Sequence, residues 1–252
     1  MRERLKALTF LLVPLAAWEL LARFGPWPGW LFPDPLTVAR SIGAMARDGR
    51  LAAAVLRSLG RLAQGYGVSV VLGIPLGVAM GRSVWVRRTV RPMVMGLQAL
   101  PSICWLPIAL LWFGLSESAI LFVVVMGSLL AVAIATEDAV AGVDPILLRA
   151  AGTLGLRGLR FHLGVLLPAA FPGILTGLKL GWSFAWRALM SGELLFVAGG
   201  LGQLLTQGRE LLDPAQVLGV MVCIVALGLA VDQGLFRILE RRVRRRWGLS
   251  ES

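Results

Sequence analysis

Glu137 to Pro168 reads EDAVAGVDPILLRAAGTLGLRGLRFHLGVLLP, and it is the one long segment after Lys6 that is neither uniformly apolar nor terminal. Asp144-Pro145 is a strong helix start: an aspartate at the N-cap accepts from free backbone N–H groups, and proline at the first helical position has no N–H to leave unsatisfied. The sequence predicts a short helix from Pro145 to about Leu154. Gly155 then allows the chain to reverse, and a second helical piece from about Leu159 leads to Pro168, where an interruption is expected before the next apolar run.

On either side of this stretch the chain is built for lipid. Of 252 residues, 57% are hydrophobic and 15% charged, and several apolar runs approach or exceed the ~20 residues needed to cross a bilayer. The runs fall at Leu8 to Phe24, Leu62 to Gly81, Met93 to Gly114, Ala119 to Thr136, Gly173 to Val197 and about Val217 to Leu235. The expected fold class is therefore all-α: a polytopic membrane protein with about six transmembrane helices and a cytoplasmic helical loop between the fourth and fifth. The first run follows Arg2, Arg4 and Lys6 as a signal peptide does. No small-residue cleavage site follows it, and Glu19 and Arg23 interrupt its end, so it is read as retained.

Basic residues set the orientation. With both termini inside, cytoplasmic segments hold Arg2, Arg4 and Lys6, then Arg82, Arg87, Arg88 and Arg91, then Arg149, Arg157 and Arg160, then the arginines from Arg237 to Arg246. These are most of the chain's 25 lysines and arginines. The exception is the first loop, with Arg23, Arg40, Arg47, Arg50, Arg57 and Arg61. Leu51, Val55, Leu59 and Leu62 recur there at helical spacing opposite Arg50, Arg57 and Arg61, which predicts a helix lying on the membrane surface before turning inward. A basic chain with a pI near 11.5 also raises nucleic acid as a partner. That reading needs a soluble basic surface, and here the arginines alternate with apolar spans. Cys104 and Cys223 both sit in apolar surroundings and His162 is the one histidine, so neither a disulfide framework nor a metal site is indicated.

Ala150-Ala151, Gly155, Val165, Leu167 and Pro168 reproduce the loop of permease subunits of ATP-binding-cassette importers, whose pattern is EAA, three residues, G, nine residues, I, one residue, LP. Val165 stands for isoleucine, and Arg149 occupies the place where that pattern has glutamate. The chain resembles in particular the branch serving nitrate, bicarbonate, taurine and other organosulfonates, through Trp105-Leu106-Pro107, Trp112-Phe113-Gly114 and the run AWRALMSGELL from Ala185 to Leu195. The resemblance implies a single permease domain over residues 1–252, with the importer-permease core at 61–240 and the ATPase-coupling loop at 137–168. It further implies a second permease copy forming a homodimer, cytoplasmic ATPase subunits that carry ATP and magnesium, an extracytoplasmic solute-binding protein, and a location in a bacterial inner membrane.

Three features inside the spans bear on function. Gly73, Gly77 and Gly81, and likewise Gly173, Gly177 and Gly181, are spaced by four, a small-residue ridge that lets helix backbones approach. Pro101 and Pro107 interrupt the third span, which is expected to kink or unwind and, with Trp105, to line a path. In the fifth, Lys179, Ser183, Arg187 and Ser191 form one stripe with Trp182, Trp186, Met190 and Glu193 adjoining it, and Gly181, Ala185, Ala188 and Gly192 lie opposite. One reading of that stripe is structural: Lys179 snorkels and Arg187 pairs with Glu193 or another helix. The other is functional: Arg187, with Lys179, Ser183 and Trp186, gives an anion a cationic passage, and Glu193 is a further candidate to line it.

The chain's only lysines, Lys6 and Lys179, stand in no Gly-x-x-x-x-Gly-Lys-Ser/Thr loop. No serine, histidine and acid set is marked either, so the chain does not read as an enzyme. An ion-coupled secondary transporter and a non-transporting scaffold remain as alternatives. The first needs acids near mid-membrane, and the broken third span has none. The second needs neither the broken third span nor the charged fifth.

Overall fold

The structure is a computed structural model and describes residues 2–195 and 199–247, with side chains from residue 12 onward. Every regular element among the described residues is helical. In chain order these are α1 (Arg2–Phe24), α2 (Pro35–Arg47), α3 (Arg50–Arg82), α4 (Val84–Gln98), a 3-10 turn (Ser102–Trp105), α5 (Leu106–Phe113), α6 (Glu117–Ala141), α7 (Pro145–Thr153) and α8 (Gly158–Phe161). A π turn (His162–Leu166) leads into α9 (Leu167–Leu195), followed by α10 (Leu201–Glu210), α11 (Pro214–Val231), a second π turn (Asp232–Phe236) and α12 (Arg237–Arg246). Four helical segments among the described residues are long and apolar enough to cross a membrane: Arg50–Arg82, Glu117–Ala141, Gly158–Leu195 and Pro214–Arg246. The pair Val84–Gln98 and Ser102–Phe113 makes a fifth if its two halves are one span. The expected first span falls in α1, which is not among them. The expected fifth span ends at Val197, which lies outside the described residues.

The chain divides into two compact units, Met1–Arg57 with Gly199–Leu227, and Ser58–Ala198 with Gly228–Ser252. In the first, the proline-rich elbow before α2 is irregular as expected, because Asp34 caps the helix through Thr37 N–H at 2.7 Å and Pro35 opens it. The Thr37 backbone N–H also holds the exposed Asp34 carboxyl below its ordinary pKa. Trp18 donates its indole N–H to the Pro33 carbonyl at 3.1 Å, tying α1 to that elbow. Val38 and Met45 of α2 are buried where Gly219 of α11 lets the helices approach. Gln216 buries its amide on the Leu204 carbonyl at 2.8 Å.

In the second unit α6 is the middle element. Its apolar residues Val124, Val132 and Val140 press on Gly65, Gly73 and Gly81 of α3, and Ala139, Ala135 and Val132 press on Gly173, Gly177 and Gly181 of α9. Both glycine ridges thus serve packing within one chain, and Gly181, Ala185, Ala188 and Gly192 are buried as the helical spacing predicts. A Cβ on Gly77 would stand 2.4 Å from the Ala133 carbonyl oxygen and 2.5 Å from Thr136 Cβ, neither of which can swing away. Gly77→Ala is therefore expected to force α3 off α6 and cost about 1–3 kcal/mol, read as a lower melting temperature in detergent. Gly60→Ala, where nothing lies within 4 Å, should melt like the wild type.

The third span is broken and bent at Pro101, as expected: α4 ends at Gln98, and the chain turns by 99° before the following helical half. Three expectations are corrected. Pro107 breaks nothing, since it occupies the first turn of α5, where no N–H is needed. Pro168 does not interrupt its helix either. The preceding π turn widens the backbone so that Leu167 N–H reaches the His162 carbonyl, and α9 runs on through the proline. Nor is there a corner between a surface helix and the second span, because α3 is continuous for 33 residues.

Candidate functional site

The hairpin between α6 and α9 is shaped by local chemistry. Asp144 Oδ1 accepts from Ile146 N–H at 2.7 Å, and Pro145 opens α7. At its other end the chain reverses at Gly155, whose φ of +74° lies in the left-handed region. Gly155 N–H donates to the Gly152 carbonyl and Leu156 N–H to the Ala151 carbonyl, both at 3.1 Å, which is the Schellman arrangement. Ala151 is buried in an apolar cluster with Val143, Phe161 and Leu166, and Val165 and Leu167 pack at its edge. The Arg82 guanidinium covers the Phe161 ring at 5.2 Å. Pro168 is exposed, and its carbonyl accepts the Trp247 indole N–H at 3.0 Å. The outer side of α7 is bare: Ile146, Leu147, Arg149, Ala150 and Leu154 are all exposed, Leu154 by 79%. All nine hairpin residues singled out from the sequence thus lie within one hairpin, from the Asp144 cap to Pro168.

The polar stripe of α9 does not form a single lining. Arg187 is exposed, donates Nε–H to the Ser183 carbonyl at 3.1 Å, and stacks over Phe184 at 4.5 Å. No carboxylate lies within ion-pair distance of it among the described residues. With Pro101, Ser102, Gly127 and Phe184 it borders a cavity of about 260 Å³ at the α4–α5 bend. Ser183 is exposed one turn away, its hydroxyl on the Lys179 carbonyl. Lys179 does not snorkel alone; its Nζ is 3.2 Å from Asp232 and 3.6 Å from Glu240. Trp186 packs half-buried against the cluster that buries Trp105, Ala185 and Ala188. Pro107 borders a separate apolar hollow with Ile103, Leu110 and Leu195.

Residues 70–245 match the family described as binding-protein-dependent transport system inner membrane component. The chain belongs to that family. Among similar proteins, a probable ABC transporter permease protein of Brucella melitensis is 30% identical over 92% of this chain and 92% of its own length. The taurine transport system permease protein TauC of Escherichia coli is 32% identical over 87% of this chain and 79% of its own. The bicarbonate transport system permease protein CmpB of Synechocystis is 28% identical over 88% of this chain and 82% of its own. The inward-facing methionine ABC transporter MetNI has a chain of the same fold, with a TM-score of 0.68 at 22% identity, covering 77% of this chain and 96% of that one.

Two charged clusters of this permease escaped the sequence reading. Glu193 is 1% exposed and pairs not with Arg187 but with Arg61, at 2.8 Å, while Ser58 donates its hydroxyl to the same carboxylate at 2.7 Å. Arg61 is 6% exposed and reaches Glu117 as well, at 2.5 Å, so it joins α3, α6 and α9 instead of resting in headgroups. At the far end of α6 the fully buried Glu137 meets Arg91 at 2.8 Å and Arg87 at 3.0 Å, which anchors α4 at the root of the hairpin. The available signal was the presence of Glu137 and Glu193 in otherwise apolar helices, since a carboxylate there needs a cationic partner.

Proposed function

We propose that this permease carries a small anion of the sulfonate or bicarbonate kind, and that Arg187 is the charge the anion meets on its way. The observation behind this reading is an arginine within a membrane-spanning helix, beside a cavity, with no acid to neutralise it. Structural arginines in this chain look different: Arg61, Arg87 and Arg91 each hold a carboxylate. A guanidinium without a carboxylate inside a membrane-spanning helix is costly unless water or a passing anion compensates it. The names of the bicarbonate and taurine relatives agree with a cargo that bears an anionic group, a carbonate oxygen in one and a sulfonate in the other. Pro101 contributes the bend that opens the space, and Ser183 adds a hydroxyl near it.

The nine hairpin residues, Asp144, Pro145, Arg149, Ala150, Ala151, Gly155, Val165, Leu167 and Pro168, form the ATPase-coupling element. Its exposed apolar side docks in a groove of a cytoplasmic ATP-binding-cassette subunit, and closure of a pair of such subunits on ATP and magnesium rocks α6 and α9. The permease works as a homodimer with both termini cytoplasmic, and an extracytoplasmic binding protein delivers the solute.

Arg187→Gln is expected to slow uptake of a radiolabelled sulfonate into proteoliposomes about tenfold or more, because a charge-assisted contact is worth ~1.5–3 kcal/mol. Arg187→Lys should keep a measurable part of the rate. Expression and ATPase copurification should not change. Uptake by the glutamine variant at the wild-type rate would remove Arg187 from the path.

A further inference from the structure

The C-terminal helix α12 takes no part in the passage or in the hairpin's exposed side. It reads RILERRVRRR and carries six arginines in its ten residues. All six are exposed, and none forms a salt bridge among the described residues. The helix's one acid, Glu240, is directed to Lys179. Leu235, Ile238 and Leu239 are exposed beside the arginines, by 51%, 50% and 36%. The opposite side is moored: Phe236 and Val243 are buried with Leu175 of α9, and Trp247 stacks on Phe171 at 5.8 Å while binding the Pro168 carbonyl.

Length places this helix. The helical segment Pro214–Arg246 has 33 residues, or about 50 Å at ~1.5 Å per residue, against a hydrocarbon core of ~30 Å. Its apolar part ends at Val231, and charge begins at Asp232. The remaining turns therefore leave the core through the layer of headgroups, with leucine and isoleucine beside arginine as an interfacial helix requires. We infer that the arginine-rich side of α12 binds the phosphate groups of anionic phospholipids. Spread along a convex rod, six guanidinium groups suit a lattice of separate headgroups better than one enclosed solute. Because the other side of α12 holds Trp247 on Pro168, this lipid contact is made one side chain away from the root of the hairpin. The inference rests on the membrane-spanning family and not on the anion reading of Arg187.

The test uses the full chain in lipid vesicles of phosphatidylcholine containing spin-labelled phosphatidylglycerol or spin-labelled phosphatidylcholine, with electron paramagnetic resonance reporting the motionally restricted fraction. Replacing Arg241, Arg242, Arg245 and Arg246 together by glutamine should lower the preference for phosphatidylglycerol at least about fivefold, the worth of a single arginine near an anionic surface. The same four positions changed to lysine should keep the preference, which separates loss of charge from misfolding. A glutamine variant with wild-type preference, or a lysine variant that loses it, overturns the inference. So does inorganic phosphate that abolishes the preference where sodium chloride of equal ionic strength does not, since the site would then belong to a soluble anion. Loss of a copurifying ATPase subunit with lipid preference intact assigns the face to a protein partner and likewise overturns it.

Discussion

Glu193→Ala is expected to destabilise the permease by ~3 kcal/mol, the lower end of the range for breaking a buried ion pair. The cost arises from what is left behind. Arg61 stays 6% exposed with its inner carboxylate gone, and Ser58 loses the acceptor of its hydroxyl. Glu117, 62% exposed, still holds one edge of the guanidinium at 2.5 Å, which keeps the loss from reaching the upper end. The measurement is thermal unfolding in detergent, with a second variant closing the cycle. Arg61→Met removes the charge that has lost its buried carboxylate, so Arg61→Met with Glu193→Ala together should recover a large part of the stability lost by Glu193→Ala alone. Purely additive single changes would mean that Arg61 and Glu193 do not depend on each other, whatever their 2.8 Å separation.

The hairpin was legible in the sequence because each of its parts is decided within a few residues. An aspartate followed by proline caps a helix whatever surrounds it, and a glycine after the last turn supplies a left-handed residue; Asp144, Pro145 and Gly155 do these things. The packing of α3 and α9 on α6 was legible for a related reason, since glycines four apart mark a face that another backbone approaches. The bend at Pro101 was legible as a position and not as a geometry. An apolar run containing two prolines fits a kinked span as well as two helices, and only the packing of Trp105 and Ala109 against α6 and α9 decides for a 99° turn.

Charge pairing was the least legible part. Arg187 and Glu193 lie on one half of α9, so pairing between them looked natural. Six residues at ~100° each leave them about 120° apart around the axis, beyond easy reach. Glu193 is answered from α3, by a residue 132 positions earlier, and no local pattern encodes that. Lys179 is similar. It looked near enough to an interface to snorkel, yet Asp232 and Glu240 of the last helices reach it. Lys179 and Glu193 are committed to partners in the fold, and the proposed anion path therefore rests on Arg187, which has no carboxylate within ion-pair distance among the described residues.

Gly155→Val is expected to leave the permease inserted and folded while cutting ATP-driven uptake about tenfold. Space is not the obstacle, since a Cβ at this position would have nothing within 4 Å. The obstacle is the backbone. With φ at +74° an L residue carries ~1–2 kcal/mol of strain, and a β-branched one carries more. The chain relieves it by moving to negative φ, and the two Schellman hydrogen bonds to Gly152 and Ala151 then cannot both survive. Losing them frees α7 to swing on α8 while the α6–α9 packing stays intact, so the effect should fall on transmission more than on assembly. The readouts are uptake and substrate-stimulated ATPase activity in proteoliposomes containing the ATPase subunit and the binding protein. Gly155→Asn, which tolerates the left-handed region, should stay near the wild type. Were the valine variant to transport as well as the asparagine variant, α7 could not be acting as a rigid lever, because the one residue that fixes its direction would be dispensable.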